Sequence, residues 1–219
     1  MPLLERAAGA GRFPALDGLS WRSDPLRACA HVAELLAADN AIVEQFAVWV
    51  TDLRPMQMRK ILNRSVEKST HYKWFLGEHR SEYTVWVHQY RPAGVYCSSD
   101  RFAASIHNHR YPFVSRVLSG SLYVSTFGVS SSEMTTCSVS LMSEQALGVG
   151  DVMSLDANDV HRIDRVSDDT ITIVVQGPPV RHYSTRFDPG SGLSERIYDL
   201  DAIFPSLTVA FTKSGLIAG

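Results

Sequence analysis

Near Tyr72 the apolar spacing of this 219-residue chain changes from one residue in three or four to every second residue, and no helical stretch separates the strand-like runs beyond that point. Side chains on a strand alternate between faces, so a period of two marks a sheet with distinct sides. The run Tyr83-Thr-Val-Trp-Val-His-Gln-Tyr-Arg91 alternates and ends at Pro92-Ala-Gly94. Strand-like runs recur over 113–118, 121–127, 135–141, 151–155, 160–166 and 170–176, punctuated by Gly120, Gly128, Gly148, Gly150 and Gly177-Pro-Pro179. Many short strands with glycine turns predict an antiparallel sandwich or barrel rather than βαβ units.

The preceding segment, residues 1–70, reads as helical. Ser23 or Asp24 caps a helix with Pro25 in its first turn, and Leu26, Cys29, Val32, Leu35 and Leu36 form its apolar stripe. A second helix after Asp39-Asn40 carries Ile42, Val43, Phe46, Val50 and Leu53. A third opens at Pro55, with Met58, Ile61 and Leu62 on one side. The expected organisation is a helical segment over 1–70 packed on a β domain over 71–189, then an extension over 190–219. Within that extension Leu207–Thr212 is read as an edge strand or an outer packing segment.

Composition narrows the class. Lys+Arg number 21 against 23 Asp+Glu, a net charge of −2, which lacks the basic excess of a nucleic-acid binder. A hydrophobic fraction of 45% is ample for a packed core. No apolar run approaches the roughly 18–20 residues of a membrane span. The first residues, MPLLERAAGAGRFPALDG, lack the apolar core of a secretory signal. Cys29, Cys97 and Cys137 are odd in number and widely spaced, which fits reduced thiols. The expectation is a cytoplasmic monomer or homodimer with a small-molecule substrate and no nucleic-acid or membrane partner.

The chemistry-bearing residues lie in the β half. Ile106-His107-Asn108-His109 places two imidazoles at i and i+2, and His161 stands at the end of Gly150-Asp-Val-Met-Ser-Leu-Asp-Ala-Asn-Asp-Val-His161. Two histidines from one strand and one from a later strand converge inside a closed barrel as a metal-ligand set. Three neutral nitrogens on one side of an ion leave half an octahedron open for substrate, water or O2. Imidazole suits Fe, Cu, Ni and Zn alike, so the set does not choose its metal. No GxSxG, GxxxxGK[ST] or GxGxxG is present, which disfavours a hydrolase triad and nucleotide binding.

These stretches resemble the cupins. His107, His109 and Gly120 fall in register with that superfamily's first motif, and Gly150 and His161 with its second. Asp156-Ala-Asn158 replaces the second motif's PXG turn, with Asn158 expected to supply the left-handed turn residue. Phe113 stands where most metal cupins carry a glutamate ligand. The three-histidine set, the helices ahead of the barrel, Arg116-Val-Leu-Ser-Gly-Ser-Leu122, Val160-His-Arg-Ile-Asp164 and Val174-Val-Gln-Gly-Pro-Pro179 resemble the cysteine dioxygenase-like thiol dioxygenases over residues 70–189. The resemblance implies a cupin-type antiparallel β-barrel (jelly roll). It also implies Fe(II) held by His107, His109 and His161, with O2 as co-substrate. Zn, Mn or Ni are the alternative metals.

The departures from that branch concern substrate rather than metal. Gln176 stands in place of a tyrosine that orients oxygen, Val174 in place of a histidine, and Phe113 in place of a crosslinking cysteine. Lys73 or Trp74 replaces the arginine that grips a carboxylate. The implied activity is oxidation of a small metabolite other than cysteine. Strand parity puts Trp86, His88 and Tyr90 on one face. Together with Phe113, Lys73 and Arg110 they form the expected substrate pocket, with His88 as an acid/base group and Tyr72 and Gln176 as substrate or oxygen contacts. Arg116 points to the other face. Asp159 and Asp164 are the expected partners for the histidines' second nitrogens. The open alternatives are a metal-dependent lyase or isomerase on the same fold, or a non-catalytic ligand-binding cupin.

Overall fold

The computed structural model describes residues 16, 18–38, 41–79, 82–97, 105–131 and 136–198. Four helices are seen among them: α1 (Pro25–Ala38), α2 (Ala41–Thr51), α3 (Pro55–Arg64) and the short α4 (Ala93–Cys97). Asp24 caps α1, its Oδ1 accepting the Arg27 amide at 3.0 Å, with Pro25 as first helical residue where no N–H is needed.

Among the described residues twelve strands form two six-stranded antiparallel sheets. The first has the order β1 (Val66–Glu67), β2 (His71–His79), β3 (Tyr83–Tyr90), β10 (Ile171–Gln176), β5 (Phe113–Ser119), β8 (Val152–Leu155). The second has the order β12 (Leu193–Tyr198), β11 (Tyr183–Asp188), β4 (Ile106–His107), β9 (Val160–Val166), β6 (Leu122–Ser131), β7 (Cys137–Leu147). From β3 to β10 the chain crosses repeatedly between sheets and leaves them ordered β3-β10-β5-β8 and β4-β9-β6-β7, the two interleaved Greek keys of a jelly roll. The fold is mainly β, a jelly roll of two antiparallel sheets with a helical layer. Among the described residues the two sheets are not hydrogen-bonded into one closed barrel; they are separate layers, a refinement of the barrel expectation.

The first sheet has a core on each side, because its residues alternate. Tyr83, Val85, Val114, Ile173 and Val175 pack against Trp21 and the α1 residues Cys29, Val32 and Leu36. Tyr90, Val117, Phe113 and Val174 face the opposite way, toward the second sheet's Leu122, Val124 and Val166. Arg116 lies on the helical side as parity requires, and its Nη1 donates to the Leu36 carbonyl at 2.7 Å.

Two glycines are required by space. Gly120 has φ +70°, and a Cβ there would sit 2.8 Å from the Thr170 Cα. A Cβ on Gly177 would lie 2.4 Å from the Trp21 ring.

The helical stripes are only partly as expected. Leu26 of α1 is exposed, α3 buries no residue, and its Met58 and Leu62 are exposed. α3 meets β2 through Arg64, which pairs with Glu78 and lies over the Phe75 ring. Asp39-Asn40 and Leu207–Thr212 lie outside the described residues. The segment after Ser191 contributes β12, an unanticipated strand paired with β11 from Tyr183↔Tyr198 to Asp188↔Leu193. Among the described residues no helix is long and apolar enough to cross a membrane.

Candidate metal centre

β4 is only two residues long and is clamped on both sides: His107 opposes His161 of β9 and Arg186 of β11. Asn108 extends the clamp, its amide donating to the Thr185 carbonyl and its Oδ1 accepting the Thr185 amide. His109 lies past the end of β4, in the loop leading to β5, so the two imidazoles of the HxH stretch are not both strand residues. They nonetheless converge with the third. His107, His109 and His161 bring one ring nitrogen each to within 4.8 Å of one another. Ring centroids are 4.7 Å apart for His107–His161, 4.8 Å for His107–His109 and 5.1 Å for His109–His161.

The three rings have the protonation state a metal needs. Burial lowers His107 to about 4, with the Ser105 carbonyl acting weakly in the other direction. Burial also holds His109 and His161 well below the ordinary imidazole value, and the neighbouring histidines add to it. All three are neutral at pH 7, with a lone pair free on each. His107 Nδ1 is 2.8 Å from the Ser105 carbonyl, which fixes that nitrogen as the N–H and leaves Nε2 as the donor to an ion. His161 Nδ1 is buried and has no protein partner among the described residues. Three neutral imidazole nitrogens this close together are a donor set that suits a divalent transition metal.

Asp164 and Asp159 do not serve these rings. Asp164 accepts from Ser125 Oγ and Arg162 Nε, each at 2.5 Å. Asp159 closes the turn ahead of β9, its Oδ2 accepting the Asp156 amide at 2.7 Å. That side-chain closure replaces a left-handed residue, so Asn158 does not adopt positive φ. Its Oδ1 instead accepts from Arg181 Nη1 at 2.8 Å.

Around the triad the first sheet contributes an aromatic wall. The Phe113 ring is 4.9 Å from His109 and 6.1 Å from His161, an apolar group at the glutamate position of the first motif. Tyr111 stacks on His109 at 5.3 Å. Lys73 faces inward: its Nζ donates to Gln176 Oε1 at 3.2 Å and lies 4.3 Å from the Trp86 ring centroid. Its Nζ also lies 5.7 Å from the centroid of the Tyr111 ring that stacks on His109, on the side of the centre. His88 and Tyr90 lie on the same inner face. Burial lowers His88 well below the ordinary value, so at neutral pH it is a neutral hydrogen-bonding group rather than a titrating acid. Its Nε2 is buried with no partner among the described residues.

Tyr72 is displaced from the expected pocket. Adjacent strand residues face opposite ways, and with Lys73 inside, Tyr72 is outside, where its hydroxyl accepts from Arg91 Nη1 at 2.6 Å and its ring stacks on Trp74. Arg110 comes directly after His109 in the same loop, its guanidinium 5.9 Å from the Tyr111 ring.

Two residues gain importance from the structure. His71, on the inner face two residues from Lys73, packs its ring 4.7 Å from His88, and burial lowers it to about 3. Parity with Lys73 was the signal for it. Arg181 donates to the His109 and Ala157 carbonyls and to Asn158, and no spacing pointed to it.

No protein-family model matches this chain, and no curated protein matches it. Solved structures do match. KdgF from Halomonas sp. aligns with a TM-score of 0.38 and 12% identity, over 52% of this chain and 84% of its own. An RmlC-like cupin from Shewanella frigidimarina NCIMB 400 aligns with a TM-score of 0.36 and 16% identity, over 54% and 88%. The capsular polysaccharide assembling protein CapF from Staphylococcus aureus aligns with a TM-score of 0.39 and 12% identity, over 62% and 31%. Likeness at this level concerns the fold alone.

Proposed function

We propose that the protein is a mononuclear non-haem Fe(II)-dependent oxygenase that oxidises a small metabolite other than cysteine with O2. The observation that carries this reading is the convergence of three neutral imidazoles with Phe113, not a carboxylate, beside them. Three neutral ligands leave a divalent ion its full charge and leave open positions for substrate and O2. When bound, Fe(II) supplies the one-electron chemistry that O2 requires. The chain's own contribution is to hold the ligands neutral, to keep water out with Phe113, Tyr111 and Trp86, and to present Lys73, Gln176 and His88 to the substrate.

A second reading, a metal-dependent lyase or isomerase, is favoured by one observation. The Lys73 ammonium, 5.7 Å from the Tyr111 ring that stacks on His109, and the unpartnered His88 nitrogen lie on the inner face, where a Lewis-acid reaction needs groups to meet developing charge and moving protons.

The test is anaerobic purification, loading with Fe(II), measurement of metal content and O2 uptake against a panel of thiols, amino acids and aromatic metabolites. One metal per chain and uptake with at least one compound are expected. His107→Ala and His161→Ala abolish both. Turnover without O2 uptake, supported by Zn or Mn, establishes the second reading instead. Ligand binding that survives chelation, with no turnover, makes the protein a binding module. Uptake with cysteine itself overturns the substrate part of the proposal.

A further inference from the structure

The residues that hold the second and third histidines are far apart in sequence, and one side chain joins them. Arg181 comes after the Gly177-Pro-Pro turn at the end of β10, where the Gly177 amide donates a hydrogen bond to the Pro112 carbonyl at 2.9 Å. One residue earlier, the Val180 amide donates to the Arg110 carbonyl at 2.8 Å, which lays residues 180–181 along the loop that carries His109. From there the guanidinium reaches two ways. Nη2 donates to the His109 carbonyl at 2.6 Å and to the Ala157 carbonyl, and Nη1 donates to Asn158 Oδ1 at 2.8 Å. Nε donates to the Tyr183 carbonyl at 3.1 Å, which fixes the fork's orientation. Ala157 and Asn158 belong to the turn that delivers His161, so a single planar cation ties the two ligand-bearing loops together.

We propose that Arg181 is a positioning residue for the metal centre, setting the separation of His109 and His161 through their backbones. This rests on the metal-centre reading but not on oxygenase activity. The need for arginine comes from geometry: four acceptors are met by three nitrogens in one plane, which a lysine ammonium cannot do. The contacts are to main-chain and amide oxygens rather than to a carboxylate, so the role is geometric, not one of charge pairing. His109 lies in a loop without ladder hydrogen bonds of its own, and Arg181 supplies the restraint that β4 gives to His107.

The experiment measures Co(II) affinity and the Co(II) visible spectrum on full-length wild type, Arg181→Ala, Arg181→Lys and, as a stability control, Arg116→Ala. Thermal midpoints of the metal-free proteins are recorded alongside. Loss of outer groups that orient ligands weakens metal binding by about 10- to 100-fold. Arg181→Ala should show a loss in that range with an altered spectrum, and Arg181→Lys an intermediate loss. Arg116→Ala, which frees the Leu36 carbonyl on the far side of the first sheet, should lower the midpoint and leave Co(II) affinity unchanged. If Arg181→Ala is poorly folded, Arg181→Lys alone decides. Affinity and spectrum within about twofold of wild type in Arg181→Lys, or an equal weakening in Arg116→Ala, overturns the proposal. Wild-type protein that takes up no Co(II) removes the metal centre itself, a separate failure; normal Co(II) uptake without O2 chemistry leaves the Arg181 role standing.

Discussion

Five histidines of this chain are held neutral by burial, and two of them, His71 and His88, are outside the metal cluster. An unfolded histidine titrates near 6.5, whereas folded His71 titrates at about 3. Between those values the unfolded chain binds a proton that the native state refuses, so stability falls as pH drops below about 6.5, by about 1.4 kcal/mol per pH unit for each such group. The penalty levels off only below the folded value. Urea denaturation of metal-free protein between pH 7 and pH 5 should show this slope, and His71→Gln should reduce it by close to one proton. An unchanged slope in that variant would place the proton uptake elsewhere. At this scale the triad was legible because histidines at such spacing have few alternatives. Tyr72 and Lys73 were a different matter: neighbours in a strand cannot share a pocket, and alternation from Trp86 through the β2–β3 pairing admits only Lys73.

Among the elements, the turn that follows β10 packs tightly, with Gly177 against the Trp21 ring and the Pro112 side chain. Adding a methyl group there forces the Trp21 ring or the Pro112 segment to move, at a cost of about 1–3 kcal/mol. Gly177→Ala should lower the denaturation midpoint accordingly. Gly94→Ala, on α4 with open space around it, should be neutral or slightly stabilising, by up to about 1 kcal/mol. Equal effects from the two would mean that the close approach does not constrain the native chain.

Most strands of the jelly roll were readable because they bury one face, although β7 exposes both faces over residues 140–146. β11 (Tyr-Ser-Thr-Arg-Phe-Asp) and β12 (Leu-Ser-Glu-Arg-Ile-Tyr) were not: both are half-exposed and polar, so pairing rather than alternation makes them strands. β4 escaped for a second reason, being too short to show any period.

At the scale of the whole molecule the two cores separate two tasks. Leu36 is fully buried between α1 and the first sheet, on the side away from the histidines. Leu36→Ala should cost about 2–5 kcal/mol, and metal affinity should not change. A coupled loss of both would show that the helical layer shapes the centre. The sequence could announce a helical layer, since α1 has a clear stripe, but not which face of which sheet it covers. That depends on Trp21 and Leu16, residues ahead of the helix that no periodicity identifies.

The far rim of the second sheet has a consequence of another kind. β7 is its outermost strand, eleven residues long, and residues 140–146 are exposed on both faces. Apart from the bridge of Thr136 to Leu193 at its start, its outer backbone groups face no described strand. Native sheets discourage unwanted neighbours at such rims with lysine, proline or irregular backbone. Here the register shift opposite Thr126 and Phe127 and the lone charge of Glu144 are the deterrents in this strand. The exposed Leu141 and Met142 sit at that shift, so the same irregularity that breaks the template also carries its most adhesive side chains. Leu141 and Met142 are therefore where strand-to-strand contact between copies of this chain would meet apolar surface on this rim.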